Sequence, residues 1–333
     1  MCGRYASARQ RIELLEEFRI ERDRVSEPLE PDYNVAPTKP VYAVLTRRPR
    51  GTGGRAADGQ AAGEQARAGQ AGDGQPSGDG QPAGDGQPAG DGQPAGDRQP
   101  AADSQASGEA RELRVVRWGL VPYWAKDRSI GSRLINARAE TVSVKPAFRR
   151  AFARRRCLLP ADGYYEWYRP GGDAKAAKQP YYICRADGGP LAFAGLYELW
   201  RNPEFPDDHP DAWLWTSTII TTSAPDELGR IHDRMPMVIR PELWTDWLDP
   251  GNNDTSDLLG LLAPAGSGGL ISYPVSTAVN SVRNNGPLLI ERAEPGAAEH
   301  GSAGSPAEPP ARSPRLPSAA SRGASGSSRD TLF

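Results

Sequence analysis

Cys2 follows the initiator Met1 directly and precedes Gly3. A side chain as small as Cys after Met1 permits removal of the initiator, which would leave an α-amine and a thiol on adjacent carbons. Such a 1,2-aminothiol has a chemistry of its own. The amine condenses with an aldehyde to an imine, and the thiol closes onto the same carbon to give a five-membered thiazolidine. With ordinary pKa values of about 7.7 to 8.0 for the amine and about 8.5 for the thiol, both nucleophiles are partly available near neutral pH. Four further positions carry groups that could assist. His232, in Ile231-His232-Asp233-Arg234-Met235-Pro236, is one of three histidines and the best placed of them for acid-base work, since His209 lies in a Pro/Asp-rich loop and His300 in the tail. Glu166 sits within Tyr164-Tyr165-Glu166-Trp167-Tyr168, where partial burial would raise its pKa into a useful range. Asn136 and Arg138 alternate with apolar residues in Leu134-Ile135-Asn136-Ala137-Arg138, so an extended segment would present both on one face. Each has a plain structural alternative: a thiol near a frayed chain end, a surface or core imidazole, an outward-facing strand carboxylate, an edge strand with polar residues in water.

These residues need elements to hold them. Ile12, Leu15 and Phe18 at helical spacing predict a short amphipathic helix over Ala8–Phe18, which ties the segment bearing Cys2 to the fold. Val41–Leu45 and Leu113–Trp118 read as strands, and the simplest organisation is a hairpin whose connection has been expanded, because long loops add little closure entropy. Lys145–Arg156 suggests a basic helix started by Pro146. Cys157–Pro160, Gly163–Tyr168, Tyr181–Cys184, Leu191–Tyr197 and Trp215–Thr221 continue a β pattern, with short helical turns at Pro225–Arg230 and Pro241–Leu248. The expected class is α+β: a mixed fold around a curved, barrel-like sheet with a few short helices. No phosphate-binding glycine loop joins a strand to a helix, so no nucleotide cofactor is expected.

Composition bounds the rest. From Arg50 to Ala110 the chain is Gly, Ala, Asp and Gln with a repeating Gly-Asp-Gly-Gln-Pro-Ala unit, which cannot offset the entropy of ordering, and residues 295–333 read as a flexible tail. One domain over residues 1–294, interrupted by a disordered insert at 50–110, is expected. Charged residues at the N-terminus leave no apolar signal segment, and no later run is long enough for a bilayer, so a cytoplasmic, nucleoid-associated protein with no membrane contact is expected. Three cysteines without CxxC spacing argue against both a disulfide framework and a metal site, and Cys157 and Cys184 read as core thiols. The net charge of −2 hides a basic region: Arg111 to Arg156 holds thirteen Lys and Arg against three acids. Within it, Arg117-Trp118-Gly119-Leu120-Val121-Pro122-Tyr123-Trp124 interleaves basic and aromatic residues as stacking platforms for unpaired bases do, although Trp118 and Trp124 could as easily be core residues.

Six ordered motifs carry a resemblance: Met-Cys-Gly-Arg-Tyr at the start, Tyr-Asn-Val-Ala-Pro-Thr, Arg-Trp-Gly-Leu-Val-Pro-Tyr-Trp, Ile-Asn-Ala-Arg-Ala-Glu-Thr, Cys-Leu-Leu-Pro-Ala-Asp-Gly-Tyr-Tyr-Glu-Trp and His-Asp-Arg-Met-Pro. From Met1 to about Pro287, the insert apart, the chain resembles the SRAP family, the SOS response-associated peptidases, also called abasic site processing proteins. The resemblance implies a DNA-repair protein that senses abasic sites in single-stranded DNA. Cys2 would form the thiazolidine with the ring-opened deoxyribose once Met1 is removed by self-processing or an aminopeptidase, with possible lyase activity through the imine. Asn136 would position the Cys2 terminus and the sugar, Glu166 would move protons during imine formation, and His232 would protonate the sugar oxygen. Arg4, Arg138, Arg149 and Arg234 would hold phosphates, while Trp118 and its neighbours would wedge the bases. The protein would act as a monomer without cofactor or metal. Two other functions stand beside it: a cysteine peptidase acting on other proteins through Cys2, His232 and Glu166, and a non-covalent single-strand binder that rests on the basic and aromatic region alone.

Overall fold

The computed structural model describes residues 2–47, 109–169, 177–262 and 269–293. At its centre, β4 (Pro40–Arg47) and β5 (Ala110–Trp118) pair antiparallel, with Val41 opposite Val116 and Arg47 opposite Ala110. This is the hairpin expected across the insert, although β5 already begins at Ala110, inside the range assigned to the insert from sequence. The remainder of the insert, like the 295–333 tail, lies outside the described residues. β7 (Arg156–Ala161) pairs with β4 and with β10 (Leu191–Arg201), which pairs in turn with β11 (Trp213–Ser223). β11 then runs parallel to β5, Thr216 opposite Arg117 and Ser217 opposite Trp118, and so closes a ring of five strands. The two-residue β2 (Arg22–Asp23) adds in parallel to the start of β5. The α+β class holds, and the barrel-like core is a closed barrel.

Period-two alternation sends successive side chains of these strands into two different cores. One set, Val41, Ala43, Leu45, Val116, Trp118, Cys157, Leu159, Phe193 and Ile219, clusters with Cys2 and Tyr5. The other, Tyr42, Val44, Leu113, Leu158, Ala194, Leu196 and Ile220, packs with Leu14, Phe18, Phe152, Trp244 and Trp247 from helices. A five-strand ring is too narrow to admit a helix, so the first set fills the barrel and the second lies between barrel and helices.

The helices are shorter than their sequence patterns suggest. α1 spans Arg11–Glu17 and buries Leu14 with Phe18 just beyond it, while Ile12 is exposed, so the buried face is rotated from the one predicted. Phe18 stacks on Trp244 at 4.5 Å, docking α1 on the segment that follows Pro241, a single 3-10 turn leading into a helix at Trp244–Leu248. α2 covers only Arg149–Arg154, because Arg156 already belongs to β7. No helix among the described residues is long and apolar enough to cross a membrane.

A second, antiparallel sheet packs against the barrel's interior set through Tyr5, Val35, Tyr164 and Ile183. It consists of β1 (Tyr5–Ser7), β3 (Asp32–Val35), β8 (Gly163–Tyr168), β9 (Gln179–Arg185) and β13 (Leu270–Pro274), with β1 between β3 and β8. β8 follows β7 after Asp162 alone, so one continuous stretch of chain serves both sheets. At Gly163 a Cβ would come within 2.6 Å of the Ile183 carbonyl oxygen, which is why this position has no side chain.

Arg156 is a staple of the outer layer. Its buried guanidinium donates to the carbonyls of Trp247 (2.8 Å), Phe152 (3.0 Å), Ala153 (2.8 Å), Asn252 (3.0 Å) and Asp249. It thereby satisfies orphan carbonyls at the ends of α2 and the helix at Trp244–Leu248. Arg156→Met, of similar length and without donors, should destabilise the protein by about 3 to 5 kcal/mol in urea unfolding, because several buried carbonyls lose their partner together. Deleting residues 52–108 should by contrast leave the melting temperature within about 2 °C, since the roughly five residues left between Arg47 and Ala110 suffice for a hairpin loop.

Candidate functional site

Cys2 is fully buried at the mouth of the barrel, where its carbonyl oxygen accepts a hydrogen bond from Asn136 Nδ2 at 2.7 Å. Asn136 is placed by β6 (Asn136–Arg138), a three-residue strand parallel to β11 with Asn136 opposite Ile219. Its other amide atom, Oδ1, is buried and has no hydrogen-bond partner among the described residues. An acceptor left unmatched in this way is costly unless something else supplies the donor. Three residues on from Cys2, Tyr5 is locked between Val35 and Tyr164, so the chain's start is held by strand pairing on both sides.

Glu166 lies two residues beyond Tyr164 on β8 and therefore on the same face. It is 4% exposed. Burial, opposed by the positive chain terminus, holds its carboxyl at about 7 instead of the ordinary 4.5. His232 follows the single helical turn α3 (Asp226–Gly229) and precedes β12 (Arg234–Pro236). Burial, then the same positive terminus, lowers its pKa. His232 Nδ1 accepts the Arg234 backbone N–H at 3.0 Å, which leaves the proton of the neutral ring on Nε2. Asp233 Oδ1 lies 2.9 Å from the same Nδ1. One nitrogen cannot accept from the backbone and donate to a carboxylate at once, so the backbone contact belongs to the neutral ring and Asp233 to the protonated one. A narrow cleft lined by Tyr164, Glu166, Ile231, His232, Arg234 and Met235 brings the two acid-base groups together. The Cys2 thiol is pushed well up by burial and then by the negative charge of Glu166, so it rests as a neutral thiol.

The remaining residues singled out from sequence divide. Arg138 and Arg149 are exposed, with Arg138 on the strand that carries Asn136. Arg4 spends Nη1 on Asn34 Oδ1 (2.7 Å) and the Val279 carbonyl (3.0 Å). Arg234 forms a two-pronged pair with Glu140 (2.5 and 3.0 Å) and donates to the Thr221 carbonyl at 2.6 Å. Trp118 requires a correction: it is 0% exposed inside the barrel, edge-on to Tyr5 at 5.2 Å, and cannot wedge a base. The aromatic residues of that motif that do reach solvent are Tyr123, 42% exposed with Arg150 over its ring at 4.2 Å, and Trp124, 50% exposed. Tyr164 was not singled out from sequence. Its only signal there was its spacing of two from Glu166. Cys157 is a buried core thiol as expected, whereas Cys184 is half-buried. Among the described residues no cluster of three or more His, Cys, Asp or Glu could hold a metal ion.

A family model described as "SOS response associated peptidase (SRAP)" matches residues 1–282. The chain is 46% identical over 185 residues to the abasic site processing protein YoqW of Bacillus subtilis, covering 56% of this chain and 79% of that relative. It is 33% identical over 199 residues to the abasic site processing protein HMCES of Xenopus tropicalis, covering 53% of this chain and 56% of that relative. A crystal structure of a Bordetella bronchiseptica protein shares the fold, with a TM-score of 0.52 at 20% identity over 83% of this chain and 100% of the other.

The raised carboxyl has a stability consequence whose sign is fixed. A folded-state pKa near 7, above the ordinary 4.5, gives a contribution that is complete below about 4.5 and lost as the pH rises through 7. Glu166→Gln should therefore be more stable than wild type at pH 8, by at most about 3 kcal/mol, and the two proteins should converge by about pH 4.5 in urea titrations.

Proposed function

This chain belongs to the SRAP family, and from that membership we propose that it captures abasic sites in single-stranded DNA through a covalent thiazolidine formed by Cys2, shielding the lesion during repair. The observation that carries the proposal is the Asn136 bond to the Cys2 carbonyl, which holds the second residue of the chain where the charge of Glu166 acts on its thiol, and Glu166 shares a cleft with His232. The names of the relatives YoqW and HMCES support abasic sites as the substrate.

Removal of Met1, by self-processing or an aminopeptidase, exposes the Cys2 amine. His232 in its protonated form, the one that pairs with Asp233, donates its Nε2 proton to the ring oxygen of the deoxyribose as the C1′–O bond of the ring breaks, and the C1′ hydroxyl gives its proton to solvent, which leaves the aldehyde and a neutral imidazole. The amine lone pair attacks that carbon, and the carbinolamine loses one water, with Glu166 supplying the proton that turns the hydroxyl into a leaving group. Protonated below about 7, Glu166 is suited to that donation at neutral pH. The Cys2 sulfur then adds to the imine carbon, its proton returns to the nitrogen, and the five-membered ring is complete. The imine is also the species from which a lyase reaction would proceed. A neutral, buried thiol fits this order, amine first and sulfur second, better than it fits a peptidase acting on other proteins, which needs a reactive thiolate at the outset. The orphaned Asn136 Oδ1 finds its donor in an N–H of the new terminus or a hydroxyl of the opened sugar.

Arg138 and Arg149 are exposed and serve as phosphate contacts. Arg4 and Arg234 contribute through the donors their internal partners leave over. Base stacking falls to Tyr123 and Trp124 in place of Trp118.

Mixing the protein with a single-stranded oligonucleotide carrying one abasic site should give a band that survives denaturing electrophoresis and is absent for Cys2→Ala. A residue added ahead of Cys2 should abolish the band as completely, because the amine would be displaced from the thiol. Retention of Met1 in the intact mass of cross-linking protein, or binding that is only salt-sensitive and never covalent, would sink the proposal.

A further inference from the structure

The geometry points to Trp118 as the positioning residue that sets where Asn136 meets Cys2. This rests on the function proposed above and adds a residue to it. The Trp118 indole N–H donates to the Ile135 carbonyl oxygen at 2.9 Å, and the same oxygen receives the Ile219 backbone N–H at 3.1 Å. Two donors of different origin thus pin the peptide that joins Ile135 to Asn136. Asn136 in turn holds the Cys2 carbonyl. On its other side the Trp118 ring meets Tyr5 edge-on, the residue that anchors the chain just beyond Cys2. One buried side chain therefore touches both segments that must meet, the strand carrying the amide and the strand carrying the nucleophile.

Trp118 is itself held in a way that leaves little room to move. Its backbone N–H donates to Lys39 (3.0 Å), its carbonyl accepts from Thr38 (2.8 Å), and its neighbour Gly119 donates to Ser217 at 2.8 Å. Thr38 adopts φ +73°, a left-handed conformation uncommon for a β-branched residue and found where the surroundings over-determine the backbone. Gly119, at φ +127°, lets the chain turn at once, and a Cβ there would lie 2.7 Å from the Gly131 carbonyl oxygen. A ring fixed at both ends of its peptide and filled in by the barrel transmits position. The buried Trp244 and Trp247 also give their indole N–H to backbone carbonyls, so what singles out Trp118 is its acceptor, the peptide that carries Asn136.

Trp118→Phe separates the two roles, because it keeps a ring and removes the donor. The expected result is an affinity within twofold of wild type for an oligonucleotide carrying a tetrahydrofuran analogue, which cannot form an imine. Cross-linking to a true abasic site should be at least tenfold slower. The double variant Trp118→Phe/Asn136→Ala should be no slower than Asn136→Ala alone, since both act through one amide. A cross-linking rate within twofold of wild type, losses that multiply in the double variant, or affinity falling in step with rate would overturn the assignment. Should Trp118→Phe fail to fold, 3-benzothienylalanine at position 118 replaces the ring N–H with sulfur at nearly constant shape and faces the same criteria. If wild type forms no cross-link, the proposed function falls on its own. Hydrogen exchange then decides the positioning role: faster exchange confined to residues 3–5 and 135–137 in the variant upholds it, and unchanged exchange there refutes it.

Discussion

The hydrogen bond from Asn136 Nδ2 to the Cys2 carbonyl is the interaction around which the site is organised. Chain ends ordinarily fray, because a terminal residue has a neighbour on one side only. Here the second residue is buried, and a long-range bond holds it in place. That bond demands a strand at Asn136, which exists only because β6 adds to β11, and it demands that the chain leave the site along a fixed direction. β1, paired with β3 and β8, supplies that direction. A barrel that β6 extends along β11, with a second sheet packed on its interior set, meets both requirements.

The same burial sets the protonation states. Removing water disfavours charge, which raises the Glu166 carboxyl and the Cys2 thiol and lowers His232. Of the three, only the carboxyl would be mostly charged in neutral water; burial brings it to a pKa of about 7 and deepens the neutrality of the thiol and the imidazole. The condensation proposed for Cys2 would draw on this, with a carboxyl that is still partly protonated at neutral pH and a sulfur that stays neutral until the imine exists. The cost is a carboxyl that opposes folding once ionised, offset by the interlocked barrel and by satisfied clusters such as the carbonyl cage around Arg156.

Much of this was legible in the sequence, and the failures have physical reasons. Alternation identified β4, β5, β7, β8, β10 and β11, and it put Asn136 and Arg138 on one face. The closing contact between β5 and β11 was not legible, because parallel pairing between strands nearly a hundred residues apart leaves no local pattern. α1 was placed at nearly the right position with its face rotated, since Ile12 and Leu14 are equally apolar and only tertiary contact decides which is covered. The family resemblance, and not a charge pattern, named Arg4 and Arg234 as phosphate ligands, and each also has acceptors within the fold. Charge read from sequence cannot distinguish an arginine committed to its own fold from one facing solvent.

Trp118 and Trp124 state the problem most sharply, being two tryptophans of one motif with opposite fates. Gly119 turns the chain immediately after β5, so the aromatic residue before it points into the barrel and those after it emerge on the surface. The pattern of basic and aromatic residues is the same on both sides of that turn and suits either environment. What separates them is the left-handed backbone at Gly119, legible as a glycine and not as an angle. The division also bears on the function proposed: the buried ring holds the peptide that carries Asn136, and the half-exposed rings are the ones a base could reach.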